Sequence, residues 1–241
     1  MTLATPYLTA HPLYISYLPG TSDRLVISFS GVGEPDEDVP RLEAAKLAGW
    51  QGENHVLFVS DASRSWMNGE WIMEQIDATV RKLSAEIKPS RVVAFGNSMG
   101  GTAAMIFADA YPVDAVLAIA PQYSIQPDLM PDEKRWTHYA DQITNWRFPS
   151  APNLVGNRAE VVILHGSIGR EMSHASKFAQ GANIHHYIYA GYAHGMAAKL
   201  KRKRQLEPII APLVLGDIAA SCRGRHLQRI QATAQRTKAV A

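Results

Sequence analysis

Arg91-Val92-Val93-Ala94-Phe95 runs directly into Gly96-Asn97-Ser98-Met99-Gly100, and that into Gly101-Thr102-Ala103-Ala104-Met105-Ile106-Phe107-Ala108. The first segment is a short apolar, β-branched run and predicts a buried strand; the last predicts a helix lying close on a sheet. Between them stands a G-x-S-x-G turn. Small residues at 96 and 100 let the chain reverse sharply and leave the Ser98 hydroxyl exposed at the strand end. A serine held this way is a candidate nucleophile, because strand, tight turn and helix together fix where its oxygen points.

Elsewhere apolar runs alternate with helical patterns, which predicts an α/β fold with a mostly parallel central sheet and helices on both faces. Strands are expected near 13–17, 24–30, 55–59, 91–96, 115–120, 160–165 and 184–189. Helices are expected near 40–48, 70–87, 99–110, 173–180, 195–205 and 207–220. The segment 70–87 carries the clearest helical period: Trp71, Ile72, Ile76, Val80, Leu83 and Ile87 recur at three-to-four spacing, and Pro89 stops it. The regularity fails between Ala120 and Glu160. Residues 121–159 hold five prolines with Trp136 and Trp146. They predict a lid or substrate-binding insertion after a strand C-terminus, where open α/β sheets place ligands. At 241 residues the whole chain, 1–241, reads as a single α/β domain.

The formal charge of +2 is unevenly distributed. From Lys199 onward ten Lys/Arg face two acids, Glu207 and Asp217, which leaves 14 basic and 20 acidic residues before it. Such a tail invites an anionic partner, but its apolar pieces predict helical packing, and no nucleic-acid partner is expected. The single cysteine, Cys222, excludes an intrachain disulfide and suits a reducing compartment. Met1–Tyr17 has no charged leader and is broken by Pro6 and Pro12, so it does not read as a signal peptide. No apolar run is long enough to span a membrane. The expected location is the cytoplasm.

A serine hydroxyl needs a base and a group to orient that base. Among the histidines after Ser98, His194 sits in Gly191-Tyr192-Ala193-His194-Gly195, past an apolar run and before a helix. That loop delivers a base to a strand-end serine and keeps the chain order serine, acid, histidine. The acid is expected on the preceding loop, from His165 to His174, whose one carboxylate is Glu171. Asp128 and Asp132 in the insertion are the alternatives, as is a Ser–His dyad. For the developing oxyanion Met99 offers one backbone N–H, and the turn Ser30-Gly31-Val32-Gly33 offers another from Gly31 or Val32. Trp66 is placed to wall the site. No G-x-G-x-x-G opens a helix, no Walker motif occurs, and His165, Glu171 and His174 lack the spacing of a metal framework. Neither cofactor nor metal is expected.

With Ser98, His194 and the early glycine turn in these places, the chain resembles the α/β-hydrolase superfamily over nearly its full length. The resemblance implies a serine hydrolase that works through an acyl-enzyme. Many relatives carry an aspartate three residues after the glycine of the acid loop; that position is Gly169 here, and Glu171 stands in. A narrower similarity lies in Ala120-Pro121-Gln122-Tyr123-Ser124-Ile125, followed by Asp132 and Arg135-Trp136. It is to small bacterial hydrolase-like proteins encountered around polysaccharide assembly, whose D-x-x-H is echoed by Glu171-Met172-Ser173-His174. Gln122, Tyr123, Arg135 and Trp136 are therefore substrate-binding candidates beside Trp66. The expected activity is cleavage of a carboxylic ester on a small polar molecule or glycan. An acyltransferase on the same fold, and a non-catalytic binding protein that keeps the elbow, are the alternatives.

Overall fold

The computed structural model describes residues 4–218 together with 228–229. Its strands are β1 (Thr5–Ala10), β2 (Leu13–Leu18), β3 (Arg24–Phe29), β4 (His55–Asp61), β5 (Arg91–Asn97), β6 (Ala115–Ile119), β7 (Glu160–Gly166), β8 (Ile184–Tyr189) and β9 (Gln228–Arg229). The helices are α1 (Ala45–Gly49), α2 (Ile72–Ile87), α3 (Met99–Ala110), α4 (Thr137–Ala140), α5 (Glu171–Ala175), α6 (Met196–Arg202) and α7 (Glu207–Leu215). The sheet order is β1-β2-β4-β3-β5-β6-β7-β8-β9. Strands β3 to β8 run parallel, while β1, β2 and β9 are antiparallel additions at the edges.

Continuous apolar runs imply burial on both faces of a parallel sheet, and side-chain alternation divides each run between two cores. Ile27, Phe29, Val92, Ala94, Val116, Ala118, Val161 and Ile163 pack on one face with Ile72, Ile76, Val80 and Leu83 of α2 and Phe107 of α3. Val26, Val93, Phe95, Leu117, Ile119, Val162 and Leu164 pack on the other with Met196, Leu200, Ile209, Leu213 and Val214 of α6 and α7. Chain order reverses around β3: β4 lies on one side of it and β5 on the other. The C-terminal ends of β3 and β5 thus meet at a switch point, where a ligand crevice forms.

The seven strands expected from sequence are present as β2 to β8, and β1 and β9 are additions. Pro6 and Pro12 look like breakers, but Pro6 sits in the edge strand, beside an irregularity in the β1–β2 register, where a missing ladder donor is tolerated. The helix expected at 173–180 is instead the short α5, one turn long and beginning at Glu171. The helix expected over 207–220 stops at Leu215, where Gly216 takes a φ of 92° and closes the helix in the left-handed region. Positions 219–220 of that expectation, Cys222, and Arg223, Arg225, Arg236 and Lys238 of the basic tail lie outside the described residues. Within them, no helix is long and apolar enough to cross a membrane.

One buried polar pair belongs to the fold rather than to the site. His165 Nε2 donates to the Pro121 carbonyl at 2.9 Å, so its Nδ1 must accept from His186 Nε2–H, also at 2.9 Å. Both rings are fully buried. Burial lowers their pKa values to about 4 for His165, with smaller contributions from His174 and His194, and to about 3 for His186, with a smaller contribution from His165. Above about pH 6.5 folded and unfolded chains both carry these histidines neutral. Below it the unfolded chain binds protons that the native pair refuses, so stability falls with pH. Each ring accounts for about 2 kcal/mol between about pH 7 and about pH 5. Urea titrations should therefore show a shallower loss over that interval in His186→Asn than in wild type. An unchanged slope would mean that the pair titrates normally.

Candidate active site

The turn after β5 places Ser98 at φ 56°, ψ −124°, outside the comfortable regions for a side-chain-bearing residue. Tight packing holds it there. A Cβ at Gly96 would lie 2.1 Å from the carbonyl carbon of Gly100, and one at Gly100 would lie 2.2 Å from the Phe29 oxygen. Glycine at both positions lets α3 sit against the ends of β3 and β5. The Ser98 N–H is tied to the Ile119 carbonyl at 2.8 Å.

Ser98 Oγ lies 2.9 Å from His194 Nε2, and His194 Nδ1 lies 3.0 Å from Glu171 Oε1. A carboxylate on Nδ1 fixes the proton there, which leaves Nε2 as the acceptor for the serine O–H. The loop carrying His194 is seated by Gly166 at the end of β7, where a Cβ would lie 2.0 Å from the Tyr192 oxygen. Glu171 is the first residue of α5 and is almost completely buried. Burial alone would raise its pKa; the hydrogen bond and charge of His194, with Arg135 nearby, hold it below the usual carboxylate range instead. Asp128 and Asp132 are both exposed to solvent, and neither takes the place of Glu171 on His194.

Behind Glu171 stands a second set of charges. Arg135 Nη1 approaches Glu171 Oε1 at 3.4 Å, while its Nε and Nη2 grip Glu133 at 2.6–3.1 Å. Glu133 accepts from His174 Nε2 at 2.9 Å, and His174 Nδ1 accepts the Tyr123 N–H at 3.1 Å. His174 is thereby fixed as the neutral tautomer protonated on Nε2. Burial opposes ionisation of Glu133, but its bonds to His174 and Arg135 prevail and hold its carboxyl far below the ordinary range. Arg135, a substrate-binding candidate from the sequence, has its guanidinium engaged by two carboxylates. Tyr123, another such candidate, is half-buried. Its ring packs edge-on against Phe178 at 5.8 Å and joins the larger core.

On the opposite side, the turn after β3 is clamped. The Gly31 N–H donates to Glu43 Oε1 at 3.0 Å, Arg64 Nε donates to the Val32 carbonyl at 3.2 Å, and Ser30 Oγ meets Ser60 Oγ at 2.9 Å. Arg64 is buried and ties this stretch down through further bonds to the carbonyls of Glu37, Asp38 and Ala62. Burial pushes Glu43 up to about 7, against the lowering effect of the Gly31 N–H and Lys201. With its N–H taken by Glu43, Gly31 is removed from the oxyanion candidates. Val32 remains, packed in one small cluster with Met99 and Trp66.

The roof is aromatic. Trp136 lies 5.8 Å from the His194 ring, Trp66 lies 5.9 Å from Trp136, and Tyr139 lies 6.2 Å from Trp66. Residues 121–159, with α4 as their one helix, supply Trp136 and Tyr139. Gln122 is buried beneath this roof, its Nε2 at 2.8 Å from Ser98 Oγ and its Oε1 accepting Trp66 Nε1–H at 3.1 Å. Asp61 is occupied locally, accepting from Ser63 and Ser65 to shape the loop ahead of α2. Sequence reasoning missed Glu133, Glu43 and Arg64 altogether. The spacing Glu171-x-x-His174 was a usable signal, because residues three apart on a helix share a face. Among the described residues no group of three His, Cys, Asp or Glu is placed to hold a metal.

A mostly parallel sheet with a strand–serine–helix elbow at its switch point defines an α/β-hydrolase. Residues 60–215 match the sequence profile described as serine aminopeptidase, S33, which covers more than half of the chain, and the protein belongs to that family. No curated protein sequence matches it. Among solved structures, Est1E from Butyrivibrio proteoclasticus is similar at a TM-score of 0.60 and 14% identity, over 90% of this chain and 99% of that one. The capsule O-acetyltransferase of Neisseria meningitidis serogroup A is similar at 0.59 and 13%, over 85% and 93%. An esterase of Pyrococcus furiosus is similar at 0.58 and 13%, over 86% and 89%. These likenesses concern the fold.

Proposed function

We propose that this protein is a serine esterase acting on an O-acylated polar substrate through an acyl-enzyme. The observation that carries the reading is the unbroken chain from Ser98 Oγ through the His194 ring to Glu171, at 2.9 and 3.0 Å. Ser98 Oγ attacks the ester carbonyl while its proton passes to His194 Nε2. The Met99 and Val32 N–H groups receive the carbonyl oxygen as it becomes anionic. The alcohol leaves with the proton from His194, and water repeats the sequence to release the acid. Glu171 holds the ring and balances the imidazolium.

Two features favour a polar substrate over a long acyl chain. The roof is built of indole and phenol rings, which suit sugar faces, and the buried Nε1 of Trp136 has no hydrogen-bond partner among the described residues. A buried donor of this kind is satisfied by an acceptor on a bound ligand. Rates on acetyl, butyryl and octanoyl esters of one alcohol, and on acetylated sugars, test the reading. Acetyl esters and acetylated sugars should be hydrolysed fastest. Preference for octanoyl would overturn the polar assignment.

The second reading, acyl transfer to a sugar hydroxyl, shares the acyl-enzyme and is favoured by the same aromatic roof. The fold shared with a capsule O-acetyltransferase is compatible with it. Acetyl appearing on an added sugar in preference to water would select it.

A further inference from the structure

We infer that Gln122 is a specificity-determining residue that restricts this site to oxygen leaving groups, so that the protein cleaves esters and rejects amides. The inference rests on the esterase reading of Ser98 and His194 and adds a reason for it within a family described by a peptidase.

Gln122 is fixed on every side. Its backbone carbonyl accepts Thr102 Oγ1–H at 2.8 Å, and it follows Pro121, whose carbonyl is bonded to His165. Its side chain is buried, and Oε1 accepts the Trp66 indole N–H at 3.1 Å. That bond decides which way the amide faces. Reversing it would set an N–H against the Trp66 N–H, leaving both donors unsatisfied in a buried site. Nε2 therefore presents hydrogens to the reacting atoms, 2.8 Å from Ser98 Oγ and 3.4 Å from His194 Nε2.

The leaving atom must come to this same place. When the tetrahedral intermediate collapses, its bond to the acyl carbon breaks and it takes the proton from His194 Nε2, so it has to lie within reach of that nitrogen. An ester oxygen has two lone pairs. One receives the His194 proton and the other accepts the Gln122 N–H, which also steadies the negative charge building on that oxygen. An amide nitrogen in the tetrahedral intermediate has one lone pair, and the His194 proton consumes it. Its own N–H or alkyl substituents then face the Gln122 donor with nothing to accept the bond. Sites with a buried, fixed polar group discriminate strongly against a partner that cannot satisfy it.

The test compares 7-acetoxy-4-methylcoumarin with 7-acetamido-4-methylcoumarin, an ester and an amide of the same acyl group and fluorophore. Wild type, Gln122→Glu and Gln122→Met are measured as the ratio of kcat/KM for ester over amide. Glutamate can accept from both Trp66 and a scissile N–H, so its ratio is expected to fall at least about tenfold, with methionine in between. Ratios equal to wild type in both variants would show that Gln122 only packs the site, and would overturn the inference. So would amide turnover that stays below detection in Gln122→Glu while ester turnover persists. A failure of the esterase reading is separately visible: Ser98→Ala would then hydrolyse the ester as fast as wild type. Labelling of Ser98 by a fluorophosphonate in each Gln122 variant confirms a folded, reactive site before ratios are compared.

Discussion

Replacing His194 by alanine is expected to lower kcat on an acetyl ester by about 10⁴-fold or more, with the fold intact. The ring is bonded to Ser98 and Glu171, lies 3.4 Å from Gln122 Nε2 and is partly exposed on a loop, so its loss costs the core little. What is lost is the acceptor at 2.9 Å that takes the serine proton as the carbon–oxygen bond forms. Ser98→Ala should cost a similar factor, and the double variant no more than either single one, because the pair acts as one device. Circular dichroism and thermal midpoints should match wild type in all three. Losses that multiplied in the double variant would mean that the two residues act independently.

The second large effect is expected at Glu171. Alanine there should reduce kcat by about 10³-fold to 10⁴-fold, since the base loses both its orientation and the charge that balances the imidazolium. Glutamine should be milder than alanine. His194 Nδ1 and Arg135 both converge on Oε1, so a carboxamide oxygen in that place still satisfies both donors and chiefly the charge is lost. Asp128→Asn and Asp132→Asn should behave as wild type, being exposed positions. Steady-state kinetics on one acetyl ester ranks all four. A dead Asp132→Asn beside a normal Glu171→Gln would move the acid to the insertion.

The parts of the fold that were legible in the sequence are those in which one residue pattern has one physical solution. Val92 to Phe95 are apolar throughout because the strand is covered on both faces, and Gly96 and Gly100 mark the elbow because any Cβ there meets backbone. The edge strand β1 was hidden by Pro6, which a central strand would not tolerate but an edge does. Glu171 could be found because it is the lone carboxylate of its loop. Glu133 could not. Its neighbours Asp132 and Lys134 are exposed, and nothing in the local pattern tells that this one carboxylate turns inward to Arg135 and His174. The same holds for Arg64 and Glu43, whose partners are backbone groups of the turn after β3 and carry no side-chain signature.

Gly31 illustrates the limit in another way. A glycine-rich turn after a strand offers several N–H groups, and sequence does not say which are already bonded. The structure does so for Gly31, whose N–H is taken by Glu43.

Activation of Ser98 as a nucleophile is read by mass spectrometry after exposure to a fluorophosphonate. One adduct per chain is expected, mapped by peptide analysis to Ser98, absent in Ser98→Ala and strongly slowed in His194→Ala. Folded wild-type protein that forms no adduct, or an adduct that persists in Ser98→Ala, would contradict it.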